Sequence, residues 1–141
     1  MPESPKVLVV DDEARFRANL QKILTHLGMT VHSLGSGREA LEELQEHAYD
    51  VVLLDLRMPE MDGLATLARI KEIRPDTEVI ILTGHASLDA ARDIIKLGGY
   101  DYLMKPCPVE ELALKIDAAF ERKLQREKNN SRSAAGGVEK G

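Results

Sequence analysis

Four short stretches of this sequence carry side chains able to do chemistry, and each follows directly on an apolar run. Asp11-Asp12-Glu13 follows KVLVV (6–10), and Asp55 follows DVVLL (50–54). Thr83-Gly84 follows TEVIIL (77–82), and Lys105-Pro106 follows YDYLM (100–104). Gathered in one place, these groups would put carboxylates, a hydroxyl and an ammonium into a single small site. Uncompensated carboxylates so placed repel each other, and at least one pKa must rise. A divalent cation removes that difficulty, and an oxygen-rich, partly hydrated site suits Mg²⁺. Each residue also has a local reading. Asp11 or Asp12 can cap the next helix, with Glu13 in its first turn. Asp55 can be a loop residue, Thr83 a helix cap and Lys105-Pro106 a turn. Their shared position after apolar runs favours the joint site.

The elements needed to bring these ends together are legible in the periodicity. Lys6–Val10, Thr30–Leu34, Asp50–Leu54, Thr77–Leu82 and Tyr100–Met104 have strand length and mostly aliphatic content. The first, third and fourth are apolar at successive positions, as in strands buried on both faces of a parallel sheet. Helical patterns lie between them. Phe16, Leu20, Ile23, Leu24 and Leu27 recur at intervals of three and four before Gly28. Ser36–Glu46, Gly63–Ile73 and Ser87–Leu97 follow, the last with the poorest apolar stripe, and Pro108 begins a helix carrying Leu112, Ala113, Ile116, Phe120 and Leu124. The order (βα)₅ with short loops implies right-handed crossovers and helices on both faces. An eight-fold barrel needs nearly twice the length. The expected fold is a doubly wound, five-stranded parallel sheet of flavodoxin-like strand order 2-1-3-4-5. Its ligand site belongs at the carboxyl ends of the strands near the switch point.

Length and charge narrow the function. The chain has 141 residues, 43% hydrophobic and 30% charged, enough for one domain with an aliphatic core. The formal charge of −5 divides into 13 basic and 21 acidic residues over 1–120 and 6 basic and 3 acidic over 121–141. An acidic body argues against a nucleic-acid surface, which needs clustered Lys and Arg. One cysteine excludes an intramolecular disulfide and a Cys-based zinc site, and suits a reducing compartment. No apolar run approaches the roughly 20 residues of a bilayer span, and the N-terminus lacks a signal peptide's apolar stretch. The expectation is a cytoplasmic domain over residues 1–126 and a flexible polar tail or start of a linker over 127–141.

The motifs resemble the receiver domain of two-component response regulators. The matching segments are VLVVDDE (7–13), DVVLLDLRMPEMDGL (50–64), ILTGHA (81–86) and GYDYLMKP (99–106), in order and on the expected strands. ILTGHAS and GYDYLMKP are similar to receivers of nitrogen-regulator-type transcription activators. The resemblance implies that Asp55 is the phosphoacceptor, with Pro59 and Asp62-Gly63 in the turn beyond it. It implies that Asp12, Asp55 and the backbone carbonyl of Arg57 bind Mg²⁺ directly, with Asp11 acting through metal-bound water. Thr83 matches the switch hydroxyl, Tyr102 the switch aromatic and Lys105 the family lysine, which precedes a candidate cis proline. Arg57 and His85 occupy the two positions that tune acyl-phosphate hydrolysis. The implied partners are a sensor histidine kinase or phosphotransfer protein, and a second copy meeting through helix four, strand five and helix five, with no nucleic acid or membrane bound by this domain.

Two rivals fit less well. A Mg²⁺-dependent phosphohydrolase with an aspartyl nucleophile usually has a second acid two residues on, where this chain has Arg57. A nucleotide-binding module needs a Gly-rich first turn, where this chain has DDEAR. His26, His32, His47 and His85 lack metal-ligand spacing, and Cys107 reads as a small packed residue rather than a nucleophile.

Overall fold

Strands apolar at every position have no face to give to water, and the structure buries them between two helical layers. It is a computed structural model that describes residues 4–57, 62–84 and 87–140, the last ten as backbone only. Among the described residues five strands alternate with five helices: β1 (Lys6–Val10), α1 (Ala14–His26), β2 (Thr30–Leu34), α2 (Gly37–Glu46), β3 (Val51–Asp55), α3 (Gly63–Ile73), β4 (Glu78–Thr83), α4 (Leu88–Lys96), β5 (Asp101–Met104) and α5 (Val109–Lys140). All pairings are parallel and the strand order is β2-β1-β3-β4-β5, the expected topology.

Side-chain alternation along each strand assigns residues to the two layers. Val7, Val9, Val51, Leu53, Ile80, Leu82 and Leu103 pack with α1 (Leu20, Leu24) and α5 (Leu112, Ile116, Phe120). Leu8, Val10, Val52, Leu54, Val79 and Ile81 pack with α2, α3 and α4 through Ala40, Leu44, Leu67, Ile70 and Ile94. The same alternation carries Asp11, Asp55 and Lys105 to the α1/α5 side, and Thr83 and Tyr102 to the other.

Helix starts follow local chemistry. Ser36, Asp62 and Ser87 side chains accept from the backbone N–H groups of Glu39, Leu64 and Ala90, relieving unpaired donors. Gly28 and Gly98, with φ of 96° and 95°, close α1 and α4 in the left-handed region. Gly63 is required by a close approach: a Cβ there would lie 2.6 Å from the Leu56 carbonyl oxygen.

Helix α5 continues to Lys140, through the stretch expected as a flexible polar tail or start of a linker. Two contacts hold the turn where it was expected to end. Lys123 Nζ pairs with Glu127 one turn on at 2.6 Å, and Arg126 Nη2 donates to the Asp76 carbonyl at 2.9 Å. The helix then passes through Gly136-Gly137, each glycine costing only about 1 kcal/mol against alanine. At this amino edge of the sheet Glu78 is 2% exposed. Arg122 Nε lies 3.3 Å from it, Arg126 Nη1 3.4 Å and Lys71 Nζ 4.0 Å, so one buried carboxylate ties α5 and α3 to β4.

Candidate functional site

At the carboxyl edge the structure brings Asp11, Asp12, Asp55 and Lys105 together. Asp11, Asp12 and Asp55 each offer a carboxylate oxygen within 4.8 Å of the others. Asp11 is 1% and Asp55 6% exposed, whereas Asp12 faces solvent. Lys105 reaches in from the end of β5: its Nζ lies 2.6 Å from Asp11 Oδ2, 3.6 Å from Asp55 Oδ2 and 3.8 Å from Glu13 Oε1. The Lys105 backbone N–H donates to the Thr83 carbonyl at 2.8 Å, fastening the end of β5 to the end of β4. Thr83 closes β4 and is buried. The Lys105-Pro106 peptide is cis.

The local readings of these residues can now be decided. Asp11 Oδ1 accepts from the Glu13 N–H at 2.9 Å, a turn ahead of α1, while the N-cap position is Glu13, whose side chain makes no capping bond. The cap of α4 is Ser87 rather than Thr83. Asp55 is the last residue of β3 rather than a loop residue, and its Oδ1 accepts from the Arg57 N–H at 3.1 Å.

The electrostatics follow from burial. Loss of water pushes the Asp55 carboxyl above its ordinary value. The Arg57 N–H works against that shift, Asp11 adds to it, Lys105 opposes it and Asp12 adds again. Burial alone would lower the Lys105 ammonium, but the hydrogen bond to Asp11 and the charges of Asp11, Asp55 and Glu13 outweigh it, and the net shift is upward. Lys105 is therefore a firmly charged ammonium among carboxylates. The donor set is all oxygen, with one carboxylate whose ionisation is disfavoured, so it fits a small hard cation such as Mg²⁺.

Two contributors are not marked by strand-end spacing. Arg17 Nη1 donates to the Asp11 carbonyl at 2.6 Å, holding the acidic loop from α1. The Phe16 ring lies under the Lys105 ammonium at 4.4 Å. In the sequence Phe16 is simply the first member of the α1 stripe, and its neighbour Arg17 is one of several charged residues. Tyr102 is half-buried against the α2–α4 layer, on the Thr83 side of the sheet. Arg57 is exposed. His85, Ala86 and Pro59 lie outside the described residues. A Cβ on Gly84 would meet no described atom within 4 Å. Burial raises the Cys107 thiol, with Glu111 adding to the effect, which suits a packed residue rather than a nucleophile.

A doubly wound sheet with an acidic crevice and an inserted lysine at its carboxyl edge is the architecture of a receiver-type signalling domain. The chain belongs to the response regulator receiver domain family, whose model matches residues 7–117. It is 42% identical over 114 residues to the transcriptional regulatory protein ZraR of Escherichia coli K12, covering 81% of this chain and 26% of that protein. It is 42% identical over 112 residues to the DNA-binding transcriptional regulator NtrC of Klebsiella pneumoniae, covering 79% and 24%. The chain thus spans about a quarter of the length of these relatives. Among solved structures, the beryllofluoride-activated NtrC4 receiver domain dimer superposes with a TM-score of 0.79 at 42% identity, covering 84% of this chain and 98% of that one. A CheY-like receiver from Methanospirillum hungatei superposes with a TM-score of 0.84 at 26% identity, covering 88% and 99%. Among the described residues no helix is long and apolar enough to cross a membrane.

Proposed function

We propose that this receiver accepts a phosphoryl group on Asp55 from a phosphohistidine of a sensor histidine kinase or phosphotransfer protein. One observation carries the reading: the buried Asp55 carboxylate stands 3.6 Å from Lys105 Nζ, with carboxylate oxygens of Asp11 and Asp12 within 4.8 Å. An Asp55 oxygen attacks phosphorus in line. As that P–O bond forms, the P–N bond to the donor imidazole breaks and its electron pair stays on nitrogen. Charge spreads over the equatorial phosphoryl oxygens, so positioning and electrostatics do most of the work. Lys105 supplies a positive charge, and the Thr83 hydroxyl donates from the other side of the sheet.

Asp12, Asp55 and the Arg57 carbonyl would hold Mg²⁺. Asp11 stands behind them, because its two oxygens already serve the Glu13 N–H and Lys105. When bound, Mg²⁺ offsets negative charge on the phosphoryl oxygens. Arg57 and His85 tune attack of water on the acyl phosphate, which returns Asp55 and releases phosphate. The chain's chemistry is thus confined to its own phosphorylation and dephosphorylation. The output is a change in α4, β5 and α5 that favours a second copy or a partner, in the cytoplasm, without nucleic acid or membrane bound by this domain.

Incubation with acetyl phosphate and Mg²⁺ followed by intact mass measurement tests this. One phosphoryl adduct per chain is expected, lost in Asp55→Asn. An undiminished adduct in that variant overturns the acceptor assignment, and release of many phosphate equivalents without an adduct favours the hydrolase.

A further inference from the structure

We infer that Phe16 is a positioning residue for the Lys105 ammonium, a role resting on the phosphoacceptor reading of Asp55. The ammonium lies 4.4 Å from the Phe16 ring centroid, inside the range of about 6 Å over which a cation is drawn to an aromatic face. Phe16 sits in the first turn of α1, half-buried, and packs against the core between α1, α5 and the sheet. The ring is therefore held by packing independent of Lys105. The Lys105 side chain is 19% exposed, so little water competes for its charge.

Among the described residues the ammonium also pairs with carboxylates: Asp11 at 2.6 Å, Asp55 at 3.6 Å and Glu13 at 3.8 Å. To serve a phosphoryl group on Asp55, the ammonium must loosen from Asp11 and turn toward the acceptor. Another carboxylate in the ring's place would hold it back and repel the incoming phosphoryl group. An apolar aliphatic side chain would offer the ammonium no attraction on that side during the turn. The aromatic face attracts the cation without net charge and without a directional hydrogen bond, so Lys105 can turn while it stays over the ring. The ring also closes the α1 side, along which the ammonium would otherwise escape to water. A purely structural Phe16 would alter stability; a positioning Phe16 alters the reaction through Lys105 alone.

The experiment compares the whole chain and its Phe16→Leu and Phe16→Tyr variants, each with Lys105 and in the Lys105→Ala background. The rate of Asp55 phosphorylation by acetyl phosphate at saturating Mg²⁺ is read by intact mass. In this reaction an Asp55 oxygen bonds to phosphorus while the bond from phosphorus to the acetyl oxygen breaks, and acetate leaves with the electron pair. Phe16→Leu is expected to slow the step about 3- to 10-fold, as for loss of a partly buried cation–π contact. Phe16→Tyr is expected to stay within about twofold, since the ring face is kept. Mg²⁺ affinity, measured by calorimetry without phosphodonor, is expected to be the same in all three. In the Lys105→Ala background Phe16→Leu is expected to add nothing. Phe16→Met repeats the comparison with a longer apolar side chain if Phe16→Leu does not fold. A wild-type rate in both aliphatic variants overturns the inference, as does an equal loss in Phe16→Tyr or an undiminished loss in the Lys105→Ala background. Failure of the wild type to take up phosphate, or uptake surviving Asp55→Asn, instead removes the underlying reading of Asp55.

Discussion

Lys105 Nζ lies 1.0 Å nearer to Asp11 Oδ2 than to Asp55 Oδ2, at 2.6 Å against 3.6 Å. The resting ammonium is thus hydrogen-bonded to Asp11, and lies farther from the Asp55 oxygen that is left for chemistry. Asp55 pays in electrostatics for this arrangement, since its carboxylate is buried and faces two others.

That strain predicts a stabilising substitution. The folded-state pKa of Asp55 is raised, first by burial and then by Asp11 and Asp12 against the Arg57 N–H and Lys105. Below its unfolded value the group is neutral in both states and costs nothing. As pH rises from there through the folded value, the folded chain holds an increasingly disfavoured carboxylate and loses stability relative to Asp55→Asn. In chelator at neutral pH, Asp55→Asn is therefore expected to melt a few degrees above wild type, with the gap closing as pH falls toward 4. Thermal unfolding across that range decides; a gap that widens in acid contradicts the electrostatic account.

The metal site predicts an asymmetry between neighbours. Asp12 is exposed, whereas both oxygens of Asp11 are engaged within the protein. Asp11→Ala is expected to weaken Mg²⁺ binding about tenfold, as for an outer-layer partner, and Asp12→Ala by more. Calorimetric titration with Mg²⁺ measures both, and equal affinity in Asp12→Ala and wild type counts against the site.

The fold was legible because its signals are local and agree with one another. Apolar runs such as VVLL (51–54) have no polar face to mislead, and Gly28, Ser36, Asp62 and Gly98 mark helix ends by their own chemistry. The carboxylates and Lys105 were legible because a parallel sheet sends every strand end to one edge. The sequence carried no comparable signal for Phe16 or Arg17, whose partners are 89 residues away in one case and a backbone carbonyl in the other. The continuation of α5 past residue 126 was not legible, because Asn, Ser and Gly weaken a helix by composition, while its anchors at Asp76 and Glu78 are remote in sequence.

Those anchors give a prediction at the far edge of the sheet. Glu78→Gln removes the charge shared by Arg122, Arg126 and Lys71. Arg122 is 58% exposed and stays hydrated, so the loss is expected to be modest, about 1–3 kcal/mol. Urea unfolding should show it, while the rate of Asp55 phosphorylation stays unchanged. A large fall in that rate without loss of stability contradicts a purely structural role for Glu78.

The switch is the last prediction. Thr83 pairs in register with Met104, and Ile81 with Tyr102, so the Tyr102 side chain emerges on the Thr83 face of the sheet, away from Lys105. When a phosphoryl group on Asp55 draws the Thr83 hydroxyl toward it, space opens on that face, and Tyr102 can turn into it while Lys105 stays on the phosphoryl group. The neighbour most easily displaced is α4. Ile94 is its only buried residue, while Leu88 and Ile95 are 70% and 55% exposed. Phosphorylation is then expected to bias a pre-existing equilibrium of the α4, β5 and α5 surface. Beryllofluoride with Mg²⁺ is expected to slow or speed amide exchange in α4 and β5 and to promote self-association in sedimentation. Thr83→Ala should bind beryllofluoride yet show less than half of either response. Exchange changes confined to α1 and α2, or a full response in Thr83→Ala, would remove this path from phosphoryl group to surface even with Asp55 confirmed as acceptor.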